Sequence, residues 1–136
     1  MNQKEFNIAI ADDHEIILNS LCKIINSEDN MKVVASVKNG AELIEYVNKE
    51  LPDLCIVDLD MPVINGLVAS KKLLKVYPEI KIIIFTMYKL NGVIKRIKKM
   101  GIKAYIIKTC DREELIFALN QVLKGKMYFP DDVFNS

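Results

Sequence analysis

Charged side chains stand at three points of this chain where an apolar, strand-like segment ends. Asp12 and Asp13 follow the first such segment. Asp58 follows the third, and Lys108 follows the fifth. If these segments are parallel neighbours in one sheet, three carboxylates and one ammonium meet at a single edge, where the carboxylates repel one another unless a cation offsets their charge. The pattern therefore predicts a site for a metal cation and a phosphoryl group.

The chemistry that this set of residues favours is phosphoryl transfer. Hard oxygen ligands with room for water suit Mg²⁺, so Asp12, Asp13 and Asp58 are the candidate metal ligands. A carboxylate beside such an ion can attack phosphorus to give an acyl phosphate, while an ammonium neutralises the transferring oxygens. Asp58 is the candidate nucleophile and Lys108 supplies the ammonium. Thr86 ends the fourth apolar segment, and we predict that its hydroxyl senses the new phosphoryl group.

Strands and helices in alternation must position these residues. Short apolar runs rich in Ile and Val alternate with segments of helical period, which is typical of a parallel sheet covered on both faces. Asp111, with Glu114 three residues later, predicts the start of the fifth helix, and Gly125 predicts its end. We predict five strands, at Phe6 to Ala11, Lys32 to Val37, Leu54 to Val57, Lys81 to Thr86 and Ala104 to Ile107.

The predicted fold class is α/β, a flavodoxin-like doubly wound sheet of five parallel strands in the order 2-1-3-4-5, with five helices. In that order strands one and three are neighbours at the topological switch point, where ligands bind beyond the carboxyl ends. Adjacent strands lie about 4.8 Å apart, so we expect the carboxylates of Asp12, Asp13 and Asp58 to lie close together. Thr86 and Lys108 are expected to flank them.

Length and composition limit the choice of function. The chain has 136 residues, 51% of them hydrophobic, which is enough for one domain with a sizeable core. We predict a phosphoacceptor domain over residues 1–125, followed over residues 126–136 by a tail or the start of a linker. Nineteen basic and eighteen acidic residues give a formal charge of +1, which favours neither nucleic acid nor a membrane surface as a direct partner.

The cysteines and the apolar segments indicate a cellular setting. Cys22, Cys55 and Cys110 are too few and too scattered for a disulfide framework, and they lack the spacing of a zinc site. The first residues are polar rather than typical of a signal peptide, and the longest apolar runs have the length of strands. We therefore expect a cytoplasmic protein that does not associate with a membrane.

In this order and spacing, the residues closely resemble the receiver domain of two-component response regulators. Each motif is a weak signal by itself, but the motifs in this order and at this spacing are a specific signal. The resemblance covers the chain from Asn7 to Gly125. It rests on Asp12-Asp13, on the stretch from Asp58 to Gly66 with its Met-Pro pair, on Thr86, and on the segment from Gly101 to Lys108.

The resemblance implies a reaction and a metal site. Asp58 would accept a phosphoryl group from a phosphohistidine of a sensor histidine kinase. Asp13 and Asp58 would bind Mg²⁺ directly, the backbone carbonyl of Asp60 and waters would complete the shell, and Asp12 would act mainly through water. Such a domain is not an enzyme in the ordinary sense, because it assists only its own phosphorylation and dephosphorylation.

The same resemblance implies a switch and an output. Tyr105 would turn inward when the Thr86 hydroxyl engages the phosphoryl group, and Asp60 and Tyr88 match positions that tune dephosphorylation. The Thr86-Met87 pair and the tail resemble the branch that carries a C-terminal helix-turn-helix DNA-binding domain. This implies transcription regulation, a homodimer on phosphorylation, and DNA contact only through a domain absent from this chain.

Other interpretations of the sequence stay open. Asp58-Leu59-Asp60 is also the DxD pattern of a haloacid-dehalogenase-like phosphatase, although that family places the pattern after its first strand and leaves Asp12 and Asp13 unexplained. A flavin-binding module of the same topology would need a Ser, Thr or Gly phosphate loop where this pair stands. A stand-alone receiver and a phosphate-independent interaction module are further alternatives.

Two residues need separate comment. His14 is the only histidine, and because no Cys, Glu or second His stands at ligand spacing from it, we interpret it as structural. Many receiver domains have a proline joined by a cis bond after the lysine, whereas this chain has Thr109 after Lys108. The geometry of that peptide bond is therefore an open point.

Overall fold

The structure is a computed structural model, and it describes residues 5–87 and 92–129. Strands and helices alternate along these residues. They are β1 (Phe6–Ala11), α1 (Glu15–Asn26), β2 (Met31–Val37), α2 (Gly40–Lys49), β3 (Leu54–Val57), α3 (Gly66–Val76), β4 (Lys81–Thr86), α4 (Ile94–Met100), β5 (Ala104–Ile107) and α5 (Arg112–Leu123). The predicted strand bounds are confirmed except at β2, which begins one residue earlier, at Met31.

The five strands form one parallel sheet in the order β2-β1-β3-β4-β5. The predicted doubly wound α/β fold and its strand order are thereby confirmed. At the carboxyl ends of the strands, Ala11 of β1 pairs with Val57 of β3, and Thr86 of β4 pairs with Ile107 of β5. The residues that follow these strands consequently emerge along one edge of the sheet.

Helices cover both faces of the sheet, which is why its strands are apolar along their whole length. Because successive strand residues point to opposite faces, β1 contributes to two cores. Ile8 and Ile10 pack with residues of α1 and α5, whereas Ala9 and Ala11 pack with residues of α2, α3 and α4. All four side chains are fully buried. Packing from two sides therefore holds the strand ends in place.

Side-chain caps determine where several helices begin. The predicted cap of α5 is confirmed, since the backbone N–H of Glu114 donates to Asp111 Oδ1 at 2.8 Å. Asn39 caps α2 and Asn65 caps α3 in the same way. At its other end, α4 stops at Gly101, whose φ of 101° is a left-handed conformation that favours glycine.

The residues after α5 turn back onto β5. The Tyr128 N–H donates to the Lys103 carbonyl at 2.9 Å, and the Tyr105 N–H donates to the Tyr128 carbonyl at 3.2 Å. The Tyr128 hydroxyl donates to Glu114 at 2.8 Å, and the Tyr128 ring meets Phe117 edge to face at 5.8 Å. This segment therefore pairs with the outer side of β5 and covers part of an edge strand.

The helices of 12 residues, α1 and α5, are far shorter than the roughly 20 residues that span a bilayer. Within residues 5–87 and 92–129, no helix combines the length and the apolar character of a membrane span.

The same residues contain no cis peptide bond, so the bond between Lys108 and Thr109 is trans. The division of the chain at residue 125 stays a prediction.

Candidate functional site

Main-chain hydrogen bonds continue the sheet by one residue into the site. The Asp58 N–H donates at 2.9 Å to the carbonyl of Ala11, the residue before Asp12. On the other side of β3, the Lys108 N–H donates to the Thr86 carbonyl at 2.7 Å. The backbone thus fixes the acidic residues and the lysine at the edge of the sheet where the sequence predicted them.

The charged side chains come together at this edge. Lys108 Nζ lies 2.7 Å from Asp12 Oδ2 and 3.3 Å from Asp58 Oδ2, and all three side chains are at most 3% exposed. The Asp13 side chain is 36% exposed. When all four groups are ionised, three carboxylates and one ammonium leave two negative charges without a partner. The cluster therefore attracts a further cation.

Two buried oxygens of the cluster, Asp12 Oδ2 and Asp58 Oδ2, accept no hydrogen bond. Lys108 Nζ is their closest partner among the described side chains, as an ion pair at 2.7 and 3.3 Å. Buried polar atoms are nearly always hydrogen-bonded, and two such oxygens side by side call for another partner. One ligand atom from each of Asp12, Asp13, His14 and Asp58 lies within 4.8 Å of the others. This donor set fits a divalent cation.

Burial raises the pKa of the Asp58 carboxyl above its usual value. The charge of Lys108 lowers this pKa, the charge of Asp12 raises it, and a hydrogen bond from the backbone of Asp60 lowers it. Desolvation is the largest of these effects, so the fold disfavours the charged form of Asp58 even though an ammonium is close. Asp58 is therefore a carboxylate that a bound cation would stabilise.

Asp58 opens to solvent through a small cleft of about 160 Å³. Thr86 lines this cleft and is buried, at 1% exposed. Asp60 and Met87 also line it and are exposed. The cleft therefore presents the Thr86 hydroxyl and the carboxylates of Asp13 and Asp60 to any group that reaches Asp58.

The two predicted tyrosines have different outcomes. Tyr105 is fully buried in the core formed with α2, α3 and α4. Its ring therefore already lies inside the core, and its role as a switch stays a prediction. Tyr88, which was predicted to tune dephosphorylation, lies outside the described residues.

His14 belongs to the site, although sequence reasoning interpreted it as structural. Its Nδ1 lies 3.0 Å from Asp12 Oδ1 and 3.2 Å from Lys108 Nζ. His14 is the N-cap residue of α1, but its side chain makes no capping hydrogen bond. The signal in the sequence was its place directly after Asp13 at the start of a helix, which directs the ring toward the strand ends.

The cysteines take no part in the site. Cys22, Cys55 and Cys110 are all free. Burial raises the pKa of the Cys55 thiol to about 12 and that of Cys110 to about 11. Because the thiolate is the reactive form, neither thiol is activated at neutral pH.

Gly66 allows α3 to begin directly against the backbone of Asp58. The Gly66 N–H donates to the Leu59 carbonyl at 2.9 Å. A Cβ atom on Gly66 would lie only 2.1 Å from the carbonyl oxygen of Asp58. Since that oxygen belongs to the backbone, it cannot rotate away as a side chain could. A glycine is therefore needed here for close approach.

We expect Gly66→Ala to lower the free energy of unfolding by about 1 to 3 kcal/mol, the usual cost of overpacking. The sign of the change is informative, because Gly66 has no positive φ and an unhindered Gly→Ala change in a helix stabilises by about 0.4 to 1 kcal/mol. Urea unfolding of the two proteins measures the difference. A variant as stable as the wild type, or more stable, would show that the structure accommodates a Cβ atom beside the Asp58 carbonyl without loss of stability.

Comparison with known proteins identifies the family. Residues 8–120 match the response regulator receiver domain. The chain belongs to this family. It is 38% identical over 122 residues to the oxygen regulatory protein NreC of Staphylococcus haemolyticus, covering 89% of this chain and 56% of that protein. It is 37% identical over 126 residues to the transcriptional regulatory protein DesR of Bacillus subtilis, covering 92% of this chain and 62% of that protein.

Solved structures of receivers have the same fold. The isolated receiver domain of RcsB from Salmonella enterica serovar Typhimurium, with the phosphomimetic BeF3-, has a TM-score of 0.88 at 27% identity, covering 97% of this chain and 98% of that chain. A LuxR-family two-component response regulator from an Aurantimonas species has a TM-score of 0.90 at 24% identity, covering 97% and 94%. The expected resemblance to response regulators is confirmed. This receiver spans little more than half the length of NreC and DesR.

Proposed function

We propose that this receiver domain accepts one phosphoryl group on a carboxylate oxygen of Asp58 and that the modification switches a conformational output. The observation that carries the proposal is the state of Asp58 Oδ2, which is buried, accepts no hydrogen bond and lies 3.3 Å from Lys108 Nζ. A carboxyl with a raised pKa beside a cation, in a cleft, is typical of a reactive group.

The proposed donor is a phosphohistidine of a sensor histidine kinase, and a small acyl phosphate can replace it in vitro. An Asp58 oxygen forms a bond to phosphorus while the bond between phosphorus and the imidazole nitrogen breaks. The electron pair of the broken bond stays on the imidazole, which takes up a proton from solvent, and the product is an aspartyl phosphate. Lys108 would neutralise charge on the transferring oxygens. Thr86 would donate its hydroxyl to a phosphoryl oxygen of the product.

The residues at the strand ends fit Mg²⁺ as the cation of this site. Asp13 and Asp58 would hold it directly, with the backbone carbonyl of Asp60, and Asp12 would act through water. When bound, Mg²⁺ offsets the carboxylate charge and polarises the phosphoryl oxygens. We assign Asp12 a second role, because its Oδ2 lies 2.7 Å from Lys108 Nζ. In that role Asp12 keeps the ammonium positioned beside Asp58.

The switch that we propose runs from Thr86 to Tyr105. Tyr105 is packed in the core with α4, and its backbone is bonded to Tyr128 in the segment after α5. A shift of β5 would therefore displace the residues after α5, which lead out of the domain. Asp60 and Tyr88 are proposed to tune the rate at which water removes the phosphoryl group.

For the whole protein, we propose transcription regulation through a DNA-binding domain outside this sequence, with a homodimer forming on phosphorylation. Support comes from relatives, since DesR is a transcriptional regulatory protein and RcsB has been solved as dimers bound to DNA. We further propose a cytoplasmic location, where the three free cysteines stay reduced. The domain would assist only its own phosphorylation and dephosphorylation.

Incubation with acetyl phosphate and MgCl₂ tests the proposed function. We expect intact-mass spectrometry to show one added phosphate, and we expect EDTA to prevent the addition. Hydroxylamine cleaves acyl phosphates but leaves phosphoserine and phosphothreonine intact, so it should remove the group. A mass that does not change, or a phosphate that survives hydroxylamine, would contradict the proposal. Rapid turnover of a phosphate ester would instead favour the phosphatase alternative.

A further inference from the structure

We propose that His14 gives this acidic site an imidazole ligand for divalent transition ions of the Ni²⁺ and Co²⁺ class, in addition to Mg²⁺. The inference rests on the proposed function in one respect, namely that a divalent cation binds among Asp12, Asp13 and Asp58. His14 is the only histidine of the chain and was not among the predicted ligands.

The position of the His14 ring matches that of a metal ligand. Its Nδ1 lies 3.0 Å from Asp12 Oδ1, 3.5 Å from Asp13 Oδ1 and 3.6 Å from Asp58 Oδ2. Bonds of about 2.0 to 2.2 Å to a central ion place neighbouring ligand atoms about 2.8 to 3.6 Å apart in octahedral or tetrahedral shells. The nitrogen therefore already stands at the spacing of one more ligand beside three carboxylates.

Local contacts hold the ring in this position. The His14 backbone N–H donates to Asp12 Oδ1 at 2.8 Å, which ties the start of α1 to the carboxylate. The ring makes no capping bond to its own helix, and its side chain is 51% exposed. Its nitrogen is therefore not committed to the helix, and an ion can reach it from solvent.

Lys108 and His14 approach Asp12 from different sides. Lys108 Nζ is closest to Oδ2, whereas His14 Nδ1 is closest to Oδ1. Lys108 Nζ is also 3.2 Å from Nδ1, so this nitrogen faces both an ammonium and a carboxylate oxygen. A metal ion would bind the tautomer in which Nδ1 carries the lone pair and Nε2 carries the proton.

Charge and ligand type together decide which ions benefit. The cluster has two negative charges in excess when ionised, and two of its buried oxygens lack hydrogen bonds, so any divalent cation is attracted. Mg²⁺ prefers oxygen ligands and gains little from a nitrogen. Ni²⁺ and Co²⁺ bind imidazole well. His14 should therefore raise the affinity for these two ions while leaving that for Mg²⁺ nearly unchanged.

Calorimetric titration of the wild type and His14→Gln with NiCl₂ and with MgCl₂ tests the inference. We expect His14→Gln to weaken Ni²⁺ binding by about tenfold or more, by analogy with the loss of metal-site partners, and to change Mg²⁺ binding less than about twofold. Glutamine suits the comparison because the side chain is half exposed and does not cap α1. Asp13→Asn is the matched variant, and it should weaken the binding of both ions.

A spectroscopic readout makes the result independent of affinity. Because the chain has a single histidine, Co²⁺ should produce one set of hyperfine-shifted imidazole proton resonances in the wild type and none in His14→Gln. Equal Ni²⁺ affinity in the two proteins, or unshifted imidazole resonances, would overturn the inference. A third result is that neither protein binds Mg²⁺ while Ni²⁺ binding still depends on His14. That result would support the inference and would contradict the Mg²⁺ part of the proposed function.

Discussion

Asp58→Asn is expected to abolish the incorporation of phosphate from acetyl phosphate and to raise the stability of the domain in Mg²⁺-free buffer. The loss is expected because an amide offers no anionic oxygen to attack phosphorus. The gain follows because burial raises the pKa of Asp58, so its ionised form is less favourable in the folded chain than in the unfolded one. The substitution leaves no buried ammonium alone, since Lys108 keeps its closer contact with Asp12, at 2.7 Å.

The sign of the pH dependence follows from linkage. A carboxyl whose pKa is higher in the folded chain than in the unfolded chain binds more protons when folded, so its contribution to stability falls as pH rises from the unfolded pKa through the folded one. Asp58→Asn removes that contribution. We therefore expect urea unfolding at several pH values to show a growing difference in the free energy of unfolding. The difference should favour the variant increasingly as pH rises above the ordinary pKa of Asp.

The same pair of proteins tests the cation site. A ligand at 100 times its Kd stabilises a folded protein by about 2.7 kcal/mol, and we expect an effect of this order from saturating Mg²⁺ on the wild type. Asp58→Asn should lose most of it. A variant that is less stable than the wild type without Mg²⁺ would contradict the unfavourable burial of the Asp58 charge. A variant that gains as much stability from Mg²⁺ as the wild type would contradict metal binding by Asp58.

The second large effect is expected at Lys108. Replacing it by Met keeps a side chain of similar length but removes the charge, and we expect the rate of phosphorylation to fall by about 10²- to 10³-fold, as when one stabilising donor is lost from an active site. We also expect a loss of about 3 to 5 kcal/mol in stability, because Asp12 and Asp58 lose their buried partner.

The rate should be measured under saturating Mg²⁺, where the variant is most stable, and its folding should be checked by circular dichroism. Lys124→Met is a matched control, since it removes an exposed lysine at the end of α5 and should change neither rate nor stability appreciably. A Lys108→Met protein that is folded and phosphorylated at the rate of the wild type would exclude the proposed role of the ammonium.

The fold could be predicted well from the sequence because this sheet is buried on both faces. Ile8 and Ala9 face different cores and are both fully buried, so each strand appears as a continuous apolar run with sharp ends. Polar residues such as Asp12 and Asp58 begin directly where those runs stop. The approximate position of the site therefore followed from topology alone.

Contacts between side chains were harder to predict. The topology predicted that Lys108 would flank the carboxylates, but it did not predict which carboxylate lies closest to Lys108 Nζ, which is that of Asp12 at 2.7 Å. His14 was set aside because its neighbours in space come from the ends of β1, β3 and β5 rather than from ligand spacing along the chain. The backbone pairing of Tyr128 with β5 depends on tertiary contacts, so no pattern in the sequence indicated it.

Asp58 is the one residue that we propose to be modified among several carboxylates that lie close together. Borohydride reduces an aspartyl phosphate to homoserine, which peptide mass spectrometry can locate. After phosphorylation with acetyl phosphate and Mg²⁺, we predict homoserine at position 58 and unmodified Asp12, Asp13 and Asp60. Homoserine at any of those three positions, with Asp58 intact, would contradict the account.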